Sequence, residues 1–122
     1  DSRNLCPTGW HSPSDAEFTM LTSYLGGEFI AGGKLKETTT LHWQSPNSGA
    51  TNESGFTALP AGGRNNDGIF PSNDIGYRGN WWSTTQNNTT TAWYRGIENI
   101  NSSVMRNFYY NTTGFSVRCV KD

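Results

Sequence analysis

Cys6-Pro7-Thr8-Gly9-Trp10-His11-Ser12-Pro13-Ser14-Asp15-Ala16-Glu17-Phe18 is the stretch on which the reading of this chain turns. Its second half is a helix start. Ser14-Asp15-Ala16-Glu17 has capping-box spacing: the Ser14 hydroxyl accepts a first-turn amide and the Glu17 carboxylate reaches back to the Ser14 amide. Asp15 and Glu17 also put negative charge at the positive end of the helix dipole. Phe18, Leu21 and Leu25 then share one face at helical spacing, with Met20 and Tyr24 beside them. Gly26-Gly27 ends the run, where a left-handed C-terminal position is easiest for glycine. The first half carries a cysteine that is answered at the other end of the chain, in Gly114-Phe115-Ser116-Val117-Arg118-Cys119-Val120. Cys6 and Cys119 are the only cysteines. If they bond, one crosslink closes nearly the whole chain into a loop, worth about 4.7 kcal/mol in the chain-entropy model for roughly a hundred residues. Such a bond implies an oxidising compartment. The alternative is two free, buried thiols in a cytosolic protein.

Composition narrows the class. The 122 residues read as a single domain, 1–122, with 33% hydrophobic and 16% charged residues and sixteen aromatics. Low charge with many aromatics is the opposite of a disordered composition. The net charge of −1 and the scattered Lys and Arg leave no basic footprint, so nucleic acid is not an expected partner. No apolar run approaches the roughly 18 residues that span a bilayer, so no membrane insertion is expected. The chain starts at Asp1 with neither a methionine nor a signal-peptide core, and reads as a mature or excised piece.

Beyond the first helix the periodicity changes. Leu35 to Trp43 is expected to hold a further helical turn and then a strand. Ser45 to Ser54 reads as loop, Phe56 to Pro60 as a strand closed by proline, and Gly62 to Gly79 again as loop. From Trp81 the pattern is an antiparallel meander: Trp81–Thr85, Ala92–Ile97, Ser103–Tyr109 and Phe115–Val120, separated by Asn, Thr and Ser.

The opening motif resembles that of the Fibrobacter succinogenes major paralogous domain. Ala31-Gly32-Gly33-Lys34-Leu35-Lys36-Glu37, Ser45-Pro46-Asn47, Asn52-Glu53-Ser54-Gly55-Phe56-Thr57-Ala58-Leu59-Pro60, Trp81-Trp82-Ser83-Thr84-Thr85 and Gly114–Val120 extend the resemblance over nearly the whole chain, in order. It implies an α+β, C-type-lectin-like fold with one or two helices, a mainly antiparallel sheet and extensive loops. It also implies a bond between Cys6 and Cys119, and a place on or outside the cell, since the family is common in surface and secreted proteins of Bacteroidetes-type bacteria. Family members carry a strand and a helix before the Cys-Pro-x-Gly-Trp motif. Here Asp1 to Leu5 alone precede it, so either the domain is trimmed or another segment completes the sheet.

A second resemblance is to the variable proteins of diversity-generating retroelements, which use the same fold and randomise asparagine-type codons inside a fixed frame. Residues 86–113, where Asn, Ser, Thr, Tyr, Ile and Phe intersperse with framework residues, are the matching candidate variable region.

Few residues suit catalysis. His11 lies in a tight turn before the helix, in a structural setting, and His42 sits beside Trp43 on the expected strand without a Cys, Asp or Glu at metal-ligand spacing. No Gly-x-Ser-x-Gly, His-Glu-x-x-His or phosphate loop occurs. The related formylglycine-generating enzymes need reactive cysteines, which a Cys6–Cys119 bond would remove. No enzyme activity and no cofactor are expected. The Glu-Pro-Asn, Gln-Pro-Asp and Trp-Asn-Asp triplets of calcium-dependent lectins are missing, and Asn66-Asp67 and Asn73-Asp74 read as turn pairs, so no metal is expected either.

Binding is the remaining reading. Strand alternation puts Trp93, Arg95 and Ile97 on one face with Val104 and Arg106, and these match framework positions. The opposite face is then expected to be exposed and to carry Tyr94, Met105, Asn107 and Tyr109, with Phe108 and Tyr110 near the following turn and Glu98 and Asn99 in the adjoining loop. Aromatics give contact area at low conformational cost, and small polar groups adapt their hydrogen bonds. Trp10, Trp43, Trp81, Trp82 and Trp93 read as core. The expected function is non-catalytic recognition of a protein or glycan ligand by residues 86–113 of a retroelement-diversified protein on a bacterial surface, pilus tip or phage particle. The alternative is a fixed adhesion or structural module of a cell-surface lipoprotein.

Overall fold

Ser14 caps the first helix in the way its spacing requires: its hydroxyl accepts from Glu17 N at 3.2 Å, and the Glu17 carboxylate accepts from Ser14 N at 2.7 Å. The computed structural model describes residues 5–122. In chain order the elements are β1 (Trp10–His11), α1 (Asp15–Tyr24), α2 (Glu28–Leu35), β2 (Arg78–Gln86), β3 (Thr91–Glu98), β4 (Val104–Tyr110) and β5 (Val120–Lys121). The fold is α+β. β2, β3 and β4 form an antiparallel sheet in that order, and β1 pairs antiparallel with β5 to join the two ends of the chain.

The second helix differs from expectation. It starts at Glu28, directly after Gly26-Gly27, and is over by Leu35, so the following segment through His42 and Trp43 is turn and bend rather than strand. Gly32 and Gly33 lie inside α2 because its backbone runs against two loops. A Cβ on Gly32 would collide with the Ser103 carbonyl, and one on Gly33 with that of Gly49. Lys36, at the end of this helix, is fully buried and donates to the carbonyls of Ser48, Asn101 and Glu98 at 2.8, 2.8 and 3.1 Å. Burial pulls its pKa down to about 8, which leaves it charged at neutral pH. One ammonium therefore bonds three partly buried carbonyls and ties two loops to the end of β3.

One face of the sheet packs on the helices. Phe18, Leu25, Ala31, Leu35, Trp43, Ala58, Trp81, Ile97 and Val104 form the core. Trp43 is completely buried and donates its indole N–H to the Ala58 carbonyl at 2.8 Å. Around Ala58 the expected strand reduces to a single parallel bridge with Lys36. Arg95 is buried on the same face, bonded to Asp15 Oδ1 at 2.6 Å and Thr19 Oγ1 at 2.9 Å. Arg106 makes a second bond to Asp15 at 2.8 Å and lies 3.7 Å from the Trp93 ring centroid. Burial alone would raise the Asp15 carboxyl, but the bonds from Arg106 and Arg95 outweigh it and hold it below the usual range. The first turn of α1 is thus fixed to the middle of the sheet.

The ends are crosslinked. Cys6 and Cys119 form a disulfide across 113 residues, with their Cα atoms 5.8 Å apart. Beside it, His11 bridges Asp122 at 2.6 Å and Glu17 at 2.7 Å. The last segment is not the regular fourth meander strand expected from Phe115 to Val120. Gly114 and Ser116 make isolated bridges to Arg64 and Trp81, and regular pairing resumes only at Val120. Trp10, expected in the core, is exposed.

Candidate functional site

Alternation along the three strands defines the outer face of the sheet. Register places Tyr94 between Trp82 and Asn107, and Gly96 between Asn80 and Met105; Glu98 pairs with Arg78 and Ala92 with Tyr109. Ser116 donates to the Asn80 carbonyl and accepts from Trp82 N, each at 3.0 Å, which lays Gly114–Ser116 along β2. Phe115 is thereby turned over the sheet, with its ring centroid 4.6 Å from Trp82, 4.9 Å from Tyr94 and 6.1 Å from Tyr109.

Phe115 corrects one expectation: Tyr94 is buried, not exposed. It forms the floor of a cleft of about 240 Å³. Its lining joins Arg78 and Asn80 of β2, on one side of β3, to Met105 and Tyr109 of β4 on the other, with Gly63, Asn65, Pro71, Asn73, Asp74, Thr113 and Phe115 added from the loops. Gly96 keeps the middle of the sheet low, since a Cβ there would sit 3.1 Å from both Asn80 Oδ1 and Met105 Cε. Burial, and next to it the Tyr109 hydroxyl, push the Tyr94 phenol up from its ordinary pKa, so it stays neutral and can donate. Arg78 is shared between two carboxylates, at 3.1 Å from Glu98 and 3.8 Å from Asp74.

The residues singled out by sequence do not form one patch. Met105, Asn107 and Tyr109 lie on this outer face and are exposed, and Met105 and Tyr109 rim the cleft above Tyr94. Glu98 is half-buried and held by Arg78. Asn99 is buried, and its amide donates to the carbonyls of Gln44 and Ser45 at 3.2 and 3.1 Å, so its side chain is committed to holding a loop. Phe108 and Tyr110 are exposed but belong to the other side of the sheet, where Phe108 packs edge-on against Trp93 at 5.4 Å. Asn80, Arg78 and Phe115 were not singled out, and Asp74 was read only as part of a turn pair. They come from a loop-like stretch and from the C-terminal motif, and no spacing pattern announces that they converge.

His42 lies 3.0 Å from Glu37 in a turn. Among the described residues no group of three or more His, Cys, Asp or Glu side chains is placed to hold a metal ion. No helix among them is long and apolar enough to cross a membrane.

These features define an α+β domain, tied end to end by one disulfide, whose sheet presents one face to its helices and the other to a shallow cleft. The chain belongs to the Fibrobacter succinogenes major domain family, whose model matches residues 1–121. No curated protein and no solved structure shows a significant match to the chain.

Proposed function

We propose that this domain is a non-catalytic ligand-binding module of C-type-lectin-like type, whose recognition surface is the outer face of β4 and the cleft beside it. One observation carries the reading: Val104 and Ile97 are buried on the helix side, while Met105, Asn107 and Tyr109 on the opposite side are exposed. Side chains there can change without entering the core. Residues 86–113 mix both kinds of position, with Thr91, Arg95, Ile97, Asn99 and Val104 buried and bonded or packed, and Asn88, Thr89, Thr90, Met105, Asn107 and Tyr109 open. That mixture supports a fixed frame carrying variable contacts, as in a retroelement-diversified protein displayed on a bacterial surface, pilus tip or phage particle. The disulfide suits an oxidising location outside the cytosol.

The test compares the wild-type domain with a Met105→Ser, Asn107→Ser, Tyr109→Ser variant, each coated on beads and offered to cells from the community that carries the gene. Exposed substitutions of this kind change stability by about 0.5 kcal/mol or less each. Retained folding with lost attachment is the expected result. Unchanged attachment would place recognition elsewhere, and an unfolded variant would make these residues structural.

A further inference from the structure

We propose that the cleft over Tyr94 takes one neutral sugar ring of a glycan, held by direct hydrogen bonds without a metal ion. This rests on the reading of the outer face as a recognition surface. The first argument is open hydrogen-bonding capacity. Asn80 is only 7% exposed, lines the cleft, and its side-chain amide makes no hydrogen bond among the described residues. That amide is not sealed from solvent, so its donors and its acceptor stay available to water or to a ligand through the cleft. The Asp74 side chain is 16% exposed and its charged neighbour is Arg78, at 3.8 Å. A carboxylate only accepts, whereas an amide both donates and accepts. Asp74 and Asn80, both lining the cleft, therefore suit hydroxyls, each of which donates and accepts.

Charge and size point the same way. The one guanidinium in the lining, Arg78, is already paired with Asp74 and, outside the lining, with Glu98, so the cleft offers no unpaired cation and disfavours phosphate, sulfate or carboxylate ligands. The Arg78 guanidinium in the lining also disfavours a Lys or Arg side chain from a peptide. Met105 and Tyr109 on β4, across β3 from Asn80, and Phe115 over Tyr94 supply the apolar surface on which the C–H face of a sugar ring rests. At about 240 Å³ the cleft lies below the roughly 300–1,000 Å³ of sites for drug-sized ligands, which suits a single ring. Its rim residues Met105 and Tyr109 are exposed, so the rest of a glycan can continue outward across β4.

The experiment is an NMR titration of the full chain with the methyl glycosides of mannose, glucose and galactose, in the presence of a chelator. Lysine amide and inorganic phosphate serve as comparison ligands. At least one hexoside should shift the Asn80 side-chain amide, the Gly96 amide and the Met105 methyl, with Kd on the order of 1 mM. Asp74→Asn, which keeps the side-chain shape, should weaken binding about tenfold, and Asn80→Ala should do the same. If no hexoside moves these signals, if the shifts survive both substitutions, or if lysine amide moves them instead, the proposal falls. Attachment lost in the β4 triple variant with no hexoside response would leave the recognition face standing and remove the sugar. Hexoside binding with attachment unaffected by the β4 substitutions would do the reverse.

Discussion

Replacing both Cys6 and Cys119 by alanine removes a crosslink that spans 113 residues. In the chain-entropy model a loop of that length restricts the unfolded state by about 4.8 kcal/mol. Other contacts join the same ends, but they are weak substitutes. The β1–β5 ladder is two residues long on each side, and the His11–Asp122 pair is exposed, where ion pairs contribute little. The double variant should therefore lose most of the entropic term, within the roughly 2–5 kcal/mol typical of native disulfides in small domains. At about 4 °C per kcal/mol for a domain of this size, the melting temperature should fall by roughly 10–20 °C. Tryptophan fluorescence follows the transition, because Trp43 and Trp81 are buried in the core. Urea titration of the same variant gives the free energy independently. Reducing the wild-type protein should shift it by a similar amount. A loss below about 1 kcal/mol would refute the reasoning, because the crosslink would then be restraining ends that the unfolded chain already keeps close.

Four further outcomes follow from named contacts. Lys36→Met keeps the stem but removes the charged donor from three partly buried carbonyls, so stability should drop by on the order of 3 kcal/mol in urea titration. Gly32→Ala pushes a methyl into the Ser103 carbonyl and should cost about 1–3 kcal/mol, whereas Gly9→Ala meets no neighbouring atom and should cost only its positive-φ strain. The bond from Ser14 N, then that with His11, holds the Glu17 carboxyl down at about 2 from an ordinary 4.5, and Asp15 is shifted the same way. For depressed carboxyls the stabilisation is complete above the unfolded value and disappears as pH falls through the folded one, so urea midpoints should hold between 4.5 and 6.5 and fall toward about 2. His11 is shifted upward, by Asp122 first and Glu17 next, so its contribution is complete below 6.5 and should disappear as pH rises through its folded value, as an NMR titration of the imidazole would show.

The legible parts of the sequence were those where local chemistry decides the outcome. The capping box specified the start of α1, and alternation specified three strands to within a few residues. The opening and closing motifs implied the crosslink through a family resemblance. The illegible parts depended on contacts between distant segments. Gly26-Gly27 marked the end of α1, but nothing local announced that α2 starts directly after it, because Gly32 and Gly33 serve a tertiary contact that lets the helix backbone approach Ser103 and Gly49. Alternation correctly put Tyr94 opposite Arg95, but nothing near Tyr94 signalled that Phe115 would fold over it. Asn99 looked like a loop ligand because its partners, the Gln44 and Ser45 carbonyls, belong to a segment without any pairing pattern. For the same reason the polar lining of the cleft escaped notice: Asp74, Arg78 and Asn80 meet Met105 and Tyr109 only through the register of β2, β3 and β4.

Deep sequencing of codons 84–113 from a natural population carrying this gene tests the central claim most directly. The account predicts variation concentrated at exposed outer-face positions 105, 107 and 109, with Arg95, Ile97, Asn99 and Val104 held constant. Variation that falls equally on buried and exposed codons, or a segment that does not vary at all, would contradict a diversified recognition face and leave a fixed adhesion or structural module.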